Sequence, residues 1–155
     1  MAARKTGNKG IRERLDRLSY IKNPNEIIKN AESILSDTRN PIDRHFAFNY
    51  LEKALYRLRE ELGMLTRFET TCLQHDSEIK TMLPGLKTHD GFLPVIPMYK
   101  QMAINKEKAG DFASAIEWSN RGLAVYQGRC IKKDQEEDLR KRATRLEAKS
   151  NKTGN

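Results

Sequence analysis

Cysteine is almost missing from this chain: 155 residues contain two, Cys72 and Cys130, with no paired spacing. That argues against a disulfide scaffold and for a reducing, cytoplasmic setting. No apolar run approaches the roughly 18 residues of a membrane span. The basic stretch from Met1 to Gly10 lacks the apolar core of a secretory signal. Catalytic signatures are missing too. There is no Gly-x-Ser-x-Gly elbow and no Gly-x-Gly-x-x-Gly turn, and Lys5-Thr6-Gly7 lacks the preceding glycines of a phosphate loop. Cys72 and His75 stand one helical turn apart, but a structural zinc needs a second pair, and His45, His89 and Cys130 do not supply it. The expectation is a buried cysteine and a surface or capping histidine, with no catalytic residue, no metal, no cofactor and no enzyme activity.

What is present is charge and helical periodicity. Charged residues make up 32% of the chain, hydrophobic residues 37% and aromatics 7%, a profile of thin, exposed helical layers. The length allows one core without metals or disulfides. The net charge of +8 is concentrated at the ends. Residues 1–22 carry seven Lys/Arg against two acids, and residues 129–155 carry nine against five. Such ends attract phosphate backbones or acidic protein surfaces, or serve only as solvated tails.

Two helix starts share one chemistry. Asn23-Pro24-Asn25-Glu26 and Asn40-Pro41-Ile42-Asp43 each place a capping Asn before a proline, with an acid two residues later. Ile27, Ile28, Ala31, Ile34 and Leu35 then recur at helical spacing. So do Phe46, Tyr50, Leu51, Ala54, Leu55, Leu58 and Leu62, which predict about five turns with Glu52, Lys53, Arg57, Arg59 and Glu60 on the opposite face. Gly63 is placed to end that helix in a left-handed conformation. Ile11, Leu15 and Leu18 form a short stripe upstream. Leu65, Phe68, Cys72, Ile79 and Leu83 mark a fourth helix, antiparallel to the third, and Pro84 to Pro97 reads as the longest connection. Helices over 98–109 and 112–127 flank Gly110-Asp111. A charged segment over 131–149 has only Leu139, Ala143 and Leu146 as an apolar edge, and Ser150 to Asn155 should fray. The fold class is therefore all-α, with six or seven helices in antiparallel hairpins. Its divisions are a basic segment 1–22, a helical domain 23–128 and a charged C-terminal helix and tail 129–155.

The stretch YKQMAINKEKAGDFASAIEWSNRGLAVY, from Tyr99 to Tyr126, resembles one tetratricopeptide unit, a pair of antiparallel helices. Tyr99 opens the first helix, Ala103 and Ala115 are the small residues of close approach, Gly110-Asp111-Phe112 is the turn, and Gly122-Leu123 follows the family pattern. Lys106, Ser119 and Gln127 depart from it, Gln127 standing where a proline is usual. More loosely, HFAFNYLEKALYRLREEL with CLQHDSEI and EKAGDFASAIEW resembles a tetratricopeptide-like module of uncharacterised bacterial and phage proteins.

That resemblance implies a non-catalytic protein-interaction module, an adaptor or scaffold, with first helices lining the contact surface. Lys100, Gln101, Asn105, Lys106 and Lys108 would lie there, with Asn49, Lys53, Tyr56 and Arg57 on the earlier long helix, facing an acidic or amide-rich peptide. Trp118, with Arg121 one turn away, reads equally as an interface anchor or a core residue. The stripe Phe112, Ala115, Ile116, Ser119 and Leu123 is the expected core face. The alternative is a nucleic-acid-associated protein, with Arg12, Arg14, Arg17, Arg140, Lys141, Arg142 and Arg145 on phosphates. Self-association through the apolar edge of the last helix or through an exposed hairpin is a third expectation.

Overall fold

In the computed structural model, residues 2–153 are described. Among them are seven helices: α1 (Ala2–Leu18), α2 (Pro24–Asp37), α3 (Pro41–Arg57), α4 (Met64–Leu86), α5 (Pro97–Lys108), α6 (Phe112–Tyr126) and α7 (Lys133–Thr153). The chain is all-helical as expected. Among the described residues, the one β-bridge is parallel, between Leu93 and Cys130. Two compact units divide it, residues 1–85 and 86–155. Ile11, Leu15 and Leu18 of α1 are buried, as are Leu139, Ala143 and Leu146 of α7. The edge expected to pair two copies is covered by the chain's own second unit. No helix among the described residues is long and apolar enough to cross a membrane.

In the first unit, the Asn-Pro starts behave as their chemistry requires. The Asn23 side chain accepts from the Asn25 amide, and Asn40 accepts from the amides of Ile42 and Asp43. Ile27, Ile28, Ala31 and Ile34 turn α2 inward against α1 and α3. Arg44 meets Glu78, His45 meets His75 and Tyr56 meets Phe68, so α3 and α4 run in opposite directions.

Four expectations here need correction. Helix α3 stops at Arg57, short of the Leu62 expected within it, and Leu58 to Gly63 is a chain of turns that leaves Leu62 fully exposed. Gly63 is left-handed at φ +80, but it precedes α4 and does not close α3. The buried face of α3 is also rotated: Phe46 is exposed, whereas Asp43, His45 and Glu52 are buried. Burying those polar groups is tolerable because His45 and Glu52 find partners on α4. Pro84 also fails to end α4, which continues to Leu86. A proline this near a C-terminus deletes a single ladder bond.

In the second unit, α6 packs against both α5 and α7. Gly110 takes φ +79, and Asp111 accepts from the Ser114 amide at 3.0 Å, so this turn forms as expected. The inward face of α6 is Ala115, Trp118, Ser119, Gly122 and Tyr126. Phe112, Ile116 and Leu123, expected at its centre, are only half-buried. Gln127 sits at φ 50, a conformation closed to proline, so the proline of the tetratricopeptide pattern could not stand there. Glu136 holds the turn that follows, accepting from Gly128 N at 2.6 Å and Cys130 N at 3.0 Å. The Tyr126 hydroxyl accepts from Ile96 N at 2.7 Å. Helix α7 runs past Ser150, where fraying was expected, to Thr153; residues 154–155 lie outside the described residues.

A Cβ on Gly122 would meet Leu139 Cδ1 at 2.6 Å and Tyr99 Cβ at 2.9 Å, whereas one on Gly10 would meet nothing within 4 Å. Both glycines are helical, and in open space alanine is favoured by about 1 kcal/mol. Gly10→Ala should raise the thermal midpoint. Gly122→Ala should lower it, with overpacking losing about 1–3 kcal/mol. Calorimetry of the two variants gives shifts of opposite sign; shifts of like sign would refute the close α5–α6–α7 packing.

Candidate functional site

The densest polar chemistry lies inside the first unit. His45, Asn49 and Glu52 occupy one stripe of α3 at steps of four and three, and His75 of α4 enters beside them. His75 is 0% exposed, His45 2% and Glu52 5%. Asn49 Nδ2 lies 3.2 Å from His45 Nε2, His45 Nδ1 lies 2.9 Å from His75 Nε2, and His75 Nδ1 lies 2.6 Å from Glu52 Oε2. One arrangement satisfies every link with Glu52 ionised. The Asn49 amide donates to His45, His45 donates to His75, and His75 donates to the carboxylate.

Electrostatics sharpen this picture. Burial, then the neighbouring His75, push His45 down to about 3. Burial raises Glu52, and its hydrogen bond from His75 works against that. Burial also raises the Cys72 thiol, with Glu52, Glu69 and Asp76 adding to the effect. That thiol stays protonated and is no nucleophile. Asp43, raised by burial, has an Oδ2 with no partner, and the charge of Arg12 opposes the shift. Phe48 stacks on His75 at 4.8 Å with 10° between the planes, and the Arg44 guanidinium lies 5.5 Å from the same ring. Arg44 also forks onto both Glu78 oxygens at 2.6 and 2.9 Å, and its hydrogen bond draws Glu78 down. The row can hold and move a proton. It offers no exposed nucleophile, and no three His, Cys, Asp or Glu among the described residues gather to hold a metal ion.

His75 is thus fully buried, not the surface or capping residue expected. Glu52, placed by periodicity on the solvent face, is buried as well. The overlooked signal was the His45, Asn49, Glu52 stripe itself, whose polar members share one side of α3.

Two clefts flank these interiors. In the first unit, about 450 Å³ opens above Phe48 and Leu51, with Arg67 of α4 reaching Glu32 of α2 at 2.8 Å. No sequence motif indicated it. In the second unit, a cleft of about 280 Å³ is lined by Val95, Pro97, Lys100, Gln101, Ile104, Gln135 and Leu139.

The predicted contact residues fall into both units. Asn49 belongs to the buried row; Tyr56 is half-buried, with Arg59 4.4 Å over its ring; Lys53 and Arg57 are exposed. Lys100 and Gln101 share the second cleft, Lys108 is exposed, Lys106 is half-buried and Asn105 is buried. Trp118, 4% exposed, is a core residue, 6.1 Å from the Tyr99 ring. Arg121 does stack on it at 4.7 Å while bonding Glu117 at 2.6 Å.

The basic residues are largely engaged. Arg14 pairs with Asp37 at 2.8 Å, Arg140 with Glu137 at 2.6 Å, and Arg142 and Arg145 both with Glu107 at 2.8 Å. The Arg145 hydrogen bond, then that of Arg142 after a smaller opposing burial effect, leaves the Glu107 carboxyl below its ordinary value. Arg12, Arg17 and Lys141 are exposed.

Unfolding restores His45 to its ordinary 6.5, so between pH 6.5 and about 3 the unfolded chain binds a proton that the folded chain refuses. Stability from the neutral His45 is complete above that window and falls on acidification, by about 1.4 kcal/mol per pH unit. Glu52, raised in the fold, acts oppositely. His45→Gln should therefore lose at least about 1 kcal/mol less than the parent between pH 7 and 5, read by hydrogen exchange of the α3 and α4 amides. Parallel acid limbs would refute the buried neutral histidine. Comparison with protein-family models, curated proteins and solved structures finds no match to this chain.

Proposed function

We propose that this protein is a non-catalytic interaction module, an adaptor or scaffold, that holds a peptide segment of a partner protein in the cleft of the second unit. The cleft carries the reading. Val95, Pro97, Ile104 and Leu139 provide apolar wall, and Lys100, Gln101 and Gln135 add polar groups around it. Its volume of about 280 Å³ lies just under the roughly 300–1,000 Å³ of drug-sized ligand sites, which suits an inserted side chain better than a cofactor. The Lys100 ammonium lies 3.8 Å from the Asp138 carboxylate, too loosely tied to resist an acidic group on the incoming peptide. The buried Tyr99, Ala103 and Ala115 and the tight Gly110-Asp111 turn support the tetratricopeptide-like reading of this unit.

The second reading, phosphate binding through the basic ends, has weaker support. Arg14, Arg140, Arg142 and Arg145 would first have to leave their carboxylates. Arg12, Arg17 and Lys141 would carry most of such binding.

Selection of displayed peptides on the full chain tests the proposal. The expected winners place an apolar side chain beside acidic residues. Their affinity should fall at least about tenfold with Ile104→Arg, which fills the cleft with charge, and by a smaller factor with Lys100→Glu. Peptides that bind Ile104→Arg undiminished would overturn the site. Salt-sensitive retention of nucleic acid that disappears on reversing Arg12, Arg17 and Lys141 would favour the second reading.

A further inference from the structure

The buried row of the first unit has no part in the cleft just described, yet it is built as a chain. Its members come from two helices, its three contacts are 2.6 to 3.2 Å long, and only Asn49 among them is even half-exposed. We propose that the Asn49–His45–His75–Glu52 row is a proton-operated latch between α3 and α4, in which uptake of one proton reverses the hydrogen bonds of the row and turns its inner end into an ion pair.

The step balances as follows. Without the extra proton, the row carries the single negative charge of Glu52, which is buried in this unit near the Cys72 thiol. A lone buried carboxylate is costly. A solvent proton entering past Asn49 binds His45 Nε2. The proton on His45 Nδ1 passes to His75 Nε2, and His75 becomes an imidazolium that donates to His45 Nδ1 and to Glu52. His45 is neutral before and after; only its tautomer changes. The Asn49 amide turns, so that its oxygen, which has no partner in the unprotonated arrangement, accepts from His45 Nε2–H. One proton has been added, no bond between heavy atoms has changed, and the net charge of the row is zero.

The surroundings favour this charge distribution. The Phe48 ring, nearly parallel to His75 at 4.8 Å, offers its face to the imidazolium. Glu69, Asp76 and Glu78 of α4 lie near enough to act electrostatically on Cys72 or with His75, and all three favour a cation there. The opposing cation is Arg44 of α3, across Phe48, and Glu78 occupies it. From α1, Arg12 acts on Asp43, two residues before His45. Phe48 also lines the cleft of about 450 Å³ in this unit, so the latch adjoins a surface that a bound molecule could feel.

Nitrogen-resolved NMR of the histidine-labelled full chain tests the latch. On acidification from pH 9 to 4, His45 should stay neutral but move its proton from Nδ1 to Nε2. The midpoint should be the one at which His75 gains its second proton. Glu52→Gln should lower that shared midpoint by at least one pH unit, since the imidazolium loses its counter-charge. A His45 that keeps one tautomer throughout, or a His75 that gains its second proton with no change of tautomer at His45, would overturn the proposal. The tautomer readout needs only the parent protein, so it decides the matter even if Glu52→Gln does not fold.

Discussion

The hydrogen bond from His75 to Glu52 is the contact on which the first unit turns. It places an ionisable carboxyl where water cannot reach, and the other polar groups beside it are arranged around that fact. His75 can reach Glu52 only if its second nitrogen is satisfied, which brings in His45, and His45 in turn needs Asn49. Removing any one member would strand the next as a buried orphan, a loss of about 1–3 kcal/mol per group. The row therefore fixes the rotation of α3 about its own axis, and with it which apolar side chains face α2 and which face α4. Phe48 and Leu51 follow as the floor of the adjoining cleft.

A related constraint shapes the second unit, where the buried polar group serves the backbone. Glu136 accepts from the amides of Gly128 and Cys130, and the Tyr126 hydroxyl accepts from Ile96 N. These bonds draw the 127–132 turn and the 93–96 segment against α6 and leave the cleft between Val95, Ile104 and Leu139. The same turn holds Gln127, whose left-handed backbone no proline can adopt. The two units thus use buried carboxylates differently. One closes a row of side chains that can exchange a proton; the other fastens a loop that shapes a surface.

This division bears on function. The basic arginines that stood out along the chain are mostly spent within it: Glu107 accepts from both Arg142 and Arg145, and Asp138 also accepts from Arg142. Trp118, offered equally as an anchor or a core residue, is covered by Tyr99 and Arg121. Both clefts stay open, the one of about 450 Å³ in the first unit and the smaller one with Lys100 and Gln101 in the second, and the proposed adaptor reading uses the second.

Much of this was readable in the sequence wherever the determining physics is local. The Asn-Pro helix starts, the Gly110-Asp111 turn and the inward stripe of α2 each depend on residues within a few positions of one another, and each appears as its chemistry dictates. The stripe of α3 was misread because periodicity sorts residues by polarity, whereas Glu52 and His45 are polar groups buried by partners thirty or fewer positions away on α4. The end of α3, the burial of His75 and both clefts likewise depend on which helices meet. Sequence by itself determined the helices, their caps and the basic ends. Tertiary structure alone decided which charges are spent on one another and which polar groups lie in the dark, because a buried group's cost is set by its neighbours in space and not along the chain.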